Sequence, residues 1–195
     1  MSQAIDKDGR VQAITIVHAE PNVITQIKKT DKDGYFALQL GLPGKAKPKT
    51  KTPTWRVKRE FRFPEGEYKI GDDIKVDIFK EGDMVDVMGI TKGKGFAGTV
   101  KRHGFSRGPE THGHDHHRQP GSIGAMGMPR VHKGKRMAGR MGGTQVTIKN
   151  LKILAIDPKN NLLAIAGAIP GARQQAIIIK RHESHKKSPN GSSTS

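Results

Sequence analysis

The uneven distribution of positive charge is the feature that most constrains what this chain can fold into. Its 195 residues contain 35 Lys and Arg but only 18 Asp and Glu, giving a formal net charge of +17. Residues 45–62 carry a net charge of +7 and residues 92–140 carry +9, so the rest of the chain is almost neutral. Cationic stretches poor in apolar residues repel themselves and do not collapse into a core. The pattern predicts an ordinary folded body with two basic extensions that bind a polyanion.

The nearly neutral part of the chain has the pattern of an all-β protein. Apolar and polar residues alternate over short stretches bounded by turn residues, as they do in half-buried strands. No long helical periodicity is present. Short strands with regular turns favour a small barrel or sandwich. The predicted strands are residues 11–17, 23–27, 35–40, 61–63, 74–79, 84–90, 146–156, 162–166 and 176–180.

A long glycine-rich segment interrupts this β pattern. Eleven of the 49 residues from 92 to 140 are glycine. A long loop inside a compact domain is typical of a functional loop, and glycine lets a phosphate backbone approach closely. The predicted organisation is a body of residues 1–91 and 144–181, including a basic loop at 42–62. An extension spans 92–143, and a disordered polar tail spans 182–195.

Several function classes are excluded by what the sequence lacks. There is no apolar run long enough to cross a membrane, and no basic region followed by an apolar stretch at the start to indicate a secretory signal. Without cysteine there is no disulfide, thiolate zinc site or cysteine nucleophile. Residues 92–98 lack the spacing of a Walker phosphate loop, and no Ser-His-Asp or paired-carboxylate arrangement stands out. We predict no enzymatic activity, no small-molecule substrate and no cofactor.

The histidine-rich cluster at residues 112–117 resembles the zinc motif of metallo-β-lactamase-like hydrolases. In that motif an aspartate comes immediately before the last ligand, two positions after the second histidine, whereas here Asp115 directly follows His114. A catalytic zinc site needs three ligands held by a scaffold, and no suitable partners follow downstream. We therefore predict no metal site, and histidines beside phosphates donate hydrogen bonds or stack on bases. A zinc-dependent hydrolase remains the alternative, which tight zinc binding and loss of hydrolysis in His114→Ala would support.

Four long motifs resemble the L3 family of large-subunit ribosomal proteins. They are residues 93–105 (GKGFAGTVKRHGF), 111–124, 129–142 and 161–172. The resemblance implies a closed Greek-key β-barrel of the translation-protein type with a long extension running toward the peptidyl transferase centre. It also implies binding to large-subunit (23S) rRNA, a role in nucleating assembly, neighbouring large-subunit proteins as partners, and a cytoplasmic location on the ribosome. Residues 41–59 are shorter than in most members, so that peripheral loop should make fewer RNA contacts.

The expected rRNA ligands are most Lys and Arg side chains of the two basic stretches, four histidines and one serine of the second stretch, and one arginine outside both. Lys and Arg neutralise phosphates, and guanidiniums also fork onto them or stack on bases. These ligands are Lys45, Lys47, Lys49, Lys51, Arg56, Lys58, Lys92, Lys94, Lys101, Arg102, His103, Arg107, His112, His114, His117, Arg118, Ser122, Arg130, Lys133, Lys135, Arg136, Arg140 and Arg173.

The tip of the extension carries almost no charge, as expected of a segment that packs in a crowded site, so it should lie deepest in the RNA. The resemblance implies that this place is near the peptidyl transferase centre. The residues of the tip are Gly121, Ser122, Ile123, Gly124, Ala125, Met126 and Pro129. A free-standing nucleic-acid-binding barrel is the remaining alternative. It predicts salt-sensitive RNA affinity without co-sedimentation with large subunits.

Overall fold

The chain is built mostly from β-strands, which confirms the predicted all-β class. The computed structural model describes residues 1–5, 9–44, 54–63, 66–127 and 129–182. The strands are β1 (Ser2–Ile5), β2 (Val11–His18), β3 (Asn22–Lys28), β4 (Ala37–Pro43), β5 (Trp55–Phe61), β6 (Asp73–Ile74), β7 (Met84–Ile90), β8 (Phe96–Ala97), β9 (Gly139–Arg140), β10 (Gln145–Asp157), β11 (Leu162–Ala166) and β12 (Ile178–Arg181). The helices are α1 (Thr30–Asp33), α2 (Thr99–His103) and a single 3₁₀ turn, Val76–Ile78.

The described strands pair into three sheets. A six-stranded sheet has the order β1-β2-β11-β10-β7-β12, a four-stranded sheet has the order β5-β4-β3-β6, and β8 pairs with β9. In these pairings β1 and β12 lie at the ends of the larger sheet, and β5 and β6 at the ends of the smaller one, so the described residues form no closed barrel. Closure into a Greek-key barrel therefore stays a prediction.

Alternation of apolar side chains explains where the core lies. In β7, Val85 and Val87 are fully buried between less buried neighbours. Leu163 and Ile165 are likewise fully buried at alternate positions of β11. The long strand β10 adds Ile153, which is also fully buried. Burying a side chain of this size stabilises the fold by about 1.5–3 kcal/mol.

One predicted strand, residues 74–79, is wrong over most of its length. β6 ends at Ile74, and the backbone then forms the 3₁₀ turn in which the Phe79 N–H donates to the Val76 carbonyl at 3.1 Å. Val76 is buried, but Ile78 is 62% exposed. The sequence pattern shows that Val76 and Ile78 are apolar and two positions apart, but not whether each of them faces the core. Here only Val76 is buried.

The predicted basic loop 42–62 is also partly wrong, because its second half is a strand. β5 (Trp55–Phe61) pairs with β4 along its length, with Leu38 opposite Phe61 and Pro43 opposite Trp55. Trp55, Val57 and Phe61 are half-buried, whereas the bases between them face solvent. The charge of the stretch concealed this alternation.

His182 is ordered, although the sequence analysis places it at the start of the disordered tail. Its N–H donates to the Met84 carbonyl at 2.8 Å, and its Nδ1 lies 2.8 Å from the Asp86 carboxylate. Asp86 also accepts a hydrogen bond from the Asn150 backbone N–H at 2.9 Å. One carboxylate thus links β7, β10 and the residue that follows β12. The remainder of the predicted tail, 183–195, lies outside the described residues.

Replacing Asp86 with asparagine is expected to lower the free energy of unfolding by about 1–2 kcal/mol at pH 7, because two hydrogen bonds to a charged group are weakened. The Asn150 N–H and then His182 hold the pKa of Asp86 below its ordinary value. A lowered folded-state pKa contributes stability above the unfolded pKa of about 3.9, and this is lost as the pH falls through the folded-state pKa. The gap between wild type and variant in denaturant titrations should therefore close in acid. Asp77→Asn, at an exposed position, is the control and should match wild type throughout.

The fold divides into two units. One contains residues 1–87, 147–169 and those from 178 onward, and the other contains residues 88–146 and 170–177. The second unit includes the predicted extension together with a short segment from much later in the chain. The domain boundaries of the sequence analysis stay a prediction. None of the described helices has the length and apolar character needed to cross a bilayer.

Candidate nucleic-acid interface

The two ends of the extension pair with each other to form a neck, defined here as residues 91–97 and 139–144. β8 and β9 place Phe96 opposite Arg140 and Ala97 opposite Gly139. The Lys94 N–H donates to the Met141 carbonyl, and the Met141 N–H donates to the Gly95 carbonyl, both at 2.9 Å. The Thr91 N–H donates to the Thr144 carbonyl at 2.9 Å. The extension therefore leaves and returns at one place.

The short helix α2 directly follows the neck and brings three basic side chains to its last turn. Those residues are Lys101, Arg102 and His103, and the helix ends at Gly104 in the left-handed conformation. Cations are favourable at a helix C-terminus, where the carbonyls carry partial negative charge. Arg102 Nη1 donates to the Met137 carbonyl at 2.8 Å, and His103 Nε2 lies 3.0 Å from the same oxygen. α2 is thereby tied to the returning chain.

The histidine cluster folds back on the chain that precedes it. The His114 ring lies 6.0 Å from the His116 ring and 6.5 Å from the His117 ring, centroid to centroid. His117 Nδ1 lies 3.0 Å from the Pro109 carbonyl oxygen, which can only accept a hydrogen bond. Within the described part of the chain, no three His, Asp or Glu side chains are grouped so that they could hold a metal ion.

Two arginines, one histidine and one glutamate line a shallow depression beside the histidine cluster. They are Arg107, Glu110, His117 and Arg118. Arg107 Nη1 pairs with Glu110 Oε1 at 3.0 Å, but both side chains are more than half exposed. An exposed pair of this kind contributes little stability and is easily exchanged for another anion. The depression combines two guanidinium groups with an imidazole, and these groups can donate several hydrogen bonds to one phosphate.

The uncharged tip contains a local hydrogen bond and presents apolar side chains to solvent. Ser122 Oγ donates to the Gly124 carbonyl at 2.9 Å. Ile123 is exposed, and Met126 is fully exposed. Exposed apolar side chains at the end of a loop are available for contact with a neighbour.

Glycine keeps most of the extension thin. At ten of the thirteen glycines from 92 to 143, an added Cβ would meet nothing within 4 Å. The exceptions are Gly108, whose Cβ would strike His114, Gly139, whose Cβ would strike Arg102, and Gly142, whose Cβ would strike the Lys92 carbonyl. Three glycines thus serve the fold of the extension itself, and the others leave its surface open.

The predicted ligands of the extension are solvent-exposed apart from His103, which is half-buried. Arg173 lies in the segment 170–177, which the sequence analysis assigned to the body but which groups with the extension. This segment is seated against the end of β7, because a Cβ on Gly89 would lie 2.5 Å from the Pro170 carbonyl. The close succession of Gly167, Pro170 and Gly171 is the sequence signal of a turn that could have indicated it.

The smaller basic surface lies on β5. Arg56 and Lys58 are exposed at alternate positions of this edge strand. The only acid of the basic stretch, Glu60, is paired with Lys28 at 3.2 Å. The Tyr35 hydroxyl and Glu60 raise the pKa of Lys28 to about 12, and Lys28 and Tyr35 lower that of Glu60. Lys45, Lys47, Lys49 and Lys51 lie outside the described residues.

These features define a class of protein: a β-rich chain that presents cations on an extended, glycine-rich loop, as polyanion-binding proteins do. The family model described as Ribosomal protein L3 matches residues 69–162. Large ribosomal subunit protein uL3 of Geobacillus stearothermophilus is 48% identical over 192 residues, covering 92% of this chain and 90% of the relative. The uL3 proteins of Geobacillus sp. (strain WCH70) and Bacillus thuringiensis (strain Al Hakam) are 48% and 44% identical, each covering 92% of this chain and 91% of the relative.

The chain belongs to the ribosomal protein L3 family. This confirms the resemblance stated from the four motifs. The family consists of structural ribosomal proteins, so the prediction that the chain is not an enzyme is also confirmed, as is its location on cytoplasmic ribosomes.

Proposed function

We propose that this chain, as a structural constituent of the large ribosomal subunit, binds large-subunit (23S) rRNA, helps nucleate subunit assembly and directs its extension toward the peptidyl transferase centre. The observation that carries the proposal is the continuous exposure of cations along an extension whose two ends are paired at the neck. Membership of the L3 family supports the same partner. The proposal includes closure of the body into a Greek-key barrel of the translation-protein type and the domain boundaries predicted from the sequence.

Exposed lysines and arginines of the extension neutralise phosphates, and each contact releases condensed counterions. The ligands proposed for this role are Lys92, Lys94, Lys101, Arg107, Arg118, Arg130, Lys133, Lys135, Arg136 and Arg140, with Arg173 from the segment that groups with them. His112, His114, His117 and Ser122 add hydrogen bonds or stacking. Arg56 and Lys58 on β5 supply a second, smaller contact, together with Lys45, Lys47, Lys49 and Lys51.

The tip has a different role from the charged part of the extension. Gly121 to Pro129 contains no charged residue, and Ile123 and Met126 are exposed. An exposed apolar tip gains free energy by packing in a crowded site rather than by following a charged groove. This supports a deep position for the tip. Membership of the L3 family supports placing it near the peptidyl transferase centre, with neighbouring large-subunit proteins as further partners.

Sedimentation of a cell extract tests the proposal directly. The chain should co-sediment with large subunits when magnesium is lowered to separate the subunits, and should remain there through a high-salt wash. Its amount in each gradient fraction is measured by quantitative mass spectrometry, with a small-subunit protein as the control. A chain that binds RNA fragments in a salt-sensitive way but is absent from large-subunit fractions would instead support the free-standing barrel and contradict the proposal.

A further inference from the structure

We propose that Arg102 is a positioning residue of the neck, which sets the direction of the extension before rRNA binds. This inference rests on the proposed function, because direction matters only if the extension inserts into a partner. Arg102 stands in the basic stretch beside residues proposed as phosphate ligands, and its charge alone does not distinguish it from them. Its contacts do.

The guanidinium of Arg102 is engaged within the protein itself. Arg102 Nη1 donates to the Met137 carbonyl at 2.8 Å across 35 positions of sequence, and His103 Nε2 lies 3.0 Å from that same oxygen. The imidazole of His103 is half-buried there. Two neighbouring side chains of α2 thus converge on one carbonyl of the returning chain, which is the arrangement of a clamp.

Gly139 completes the seat of the guanidinium. A Cβ at this position would lie 2.5 Å from Arg102 Nη1 and 3.1 Å from Arg102 Cζ. Gly139 also pairs with Ala97 in the β8–β9 ladder, and Ala97 is buried. Residue 139 therefore has to be glycine so that the Arg102 guanidinium can pass the paired strands β8 and β9 and reach the Met137 carbonyl.

Holding both chains of the neck together lowers the entropy that must be lost when the extension is ordered on RNA. The apparent dissociation constant rises in inverse proportion to the fraction of molecules that are competent to bind. Arg140 belongs to the same ladder, and both arginines are exposed, but it is Arg102 that donates to the Met137 carbonyl. Arg102 should thus affect affinity through order, and Arg140 through phosphate contact.

The first test uses the free full-length protein and changes no charge. Gly139→Ala should displace the guanidinium and speed amide hydrogen exchange in residues 94–103 and 137–141 at least several-fold. Gly93→Ala is the matched control, since its Cβ would meet nothing within 4 Å. Equal exchange in the two variants would overturn the proposal. A global loss of folding in Gly139→Ala would be recognised by exchange in β11, and Arg102→Gln then provides the same local readout.

The second test measures binding of an rRNA fragment as a function of salt. Arg102→Gln should raise the dissociation constant roughly tenfold at every salt concentration if its competent fraction falls tenfold, with the slope of log K against log salt unchanged. Arg140→Gln should reduce that slope by about 0.7–0.9. If Arg102→Gln reduces the slope as Arg140→Gln does, Arg102 is a phosphate ligand and the inference fails. If wild type shows no salt-dependent binding at all, it is the proposed function that fails.

Discussion

Replacing Arg136 and Arg140 together with glutamine is expected to weaken binding to rRNA roughly 100-fold. Both side chains are exposed in the part of the extension that returns to the neck. A hydrogen bond to a charged group contributes about 1.5–3 kcal/mol, so losing two corresponds to at least two factors of ten in affinity. Direct titration of a 23S rRNA fragment with the full-length chain measures this loss.

The salt dependence of the same titration identifies the cause. Each lost phosphate contact should reduce the slope of log K against log salt by about 0.7–0.9. The matched control is the double variant Lys32→Gln and Lys159→Gln, which removes the same charge from exposed positions of the body. If the two double variants lose affinity and slope equally, overall charge rather than the extension would explain binding, and the assignment of these arginines would be wrong.

Truncation of Leu163 to alanine is expected to lower the free energy of unfolding by about 2–5 kcal/mol. Leu163 is 0% exposed, and its strand β11 lies between β2 and β10, so the truncation removes contacts inside the core. Its backbone pairs with Val17 on one side and Ile156 on the other. Many small domains have a total stability little larger than this loss.

Thermal or denaturant unfolding of the full-length chain measures the effect. Ile16→Ala is the control, because Ile16 lies on the paired strand β2 but is 54% exposed. It should cost well under half as much as Leu163→Ala. Equal losses in the two variants would mean that burial at β11 is not what holds this sheet together.

The strands could be predicted where alternation and burial agree. Residues 162–166 match β11, where turn residues bound the strand and Leu163 and Ile165 are buried at alternate positions. Residues 11–17 fall within β2, although the adjacent Ile14 and Thr15 are both buried there. The prediction failed at 74–79, where a 3₁₀ turn exposes Ile78, and at β5, where charge concealed the half-buried positions of Trp55 and Val57. Periodicity reports which residues are apolar, and only packing decides which of them are buried.

The charged, glycine-rich segment could be recognised from the sequence, but the contacts that distinguish its side chains could not. Because both are positively charged, Arg102 and Arg136 were predicted alike to be rRNA ligands. Their difference depends on a carbonyl at Met137, which no local pattern connects with α2. The grouping of Arg173 with the extension depends likewise on how residues 170–177 pack against the end of β7.

Four glycines of the extension have ordinary backbone angles and empty space where a side chain would point: Gly93, Gly98, Gly124 and Gly127. In water, alanine at such positions would restrict the unfolded chain and stabilise the native one by about 0.4–1 kcal/mol each. The isolated molecule thus derives no benefit from remaining bare there. A partner whose surface comes within van der Waals distance of the main chain at these points would account for the bare positions, because it would leave no room for a methyl group.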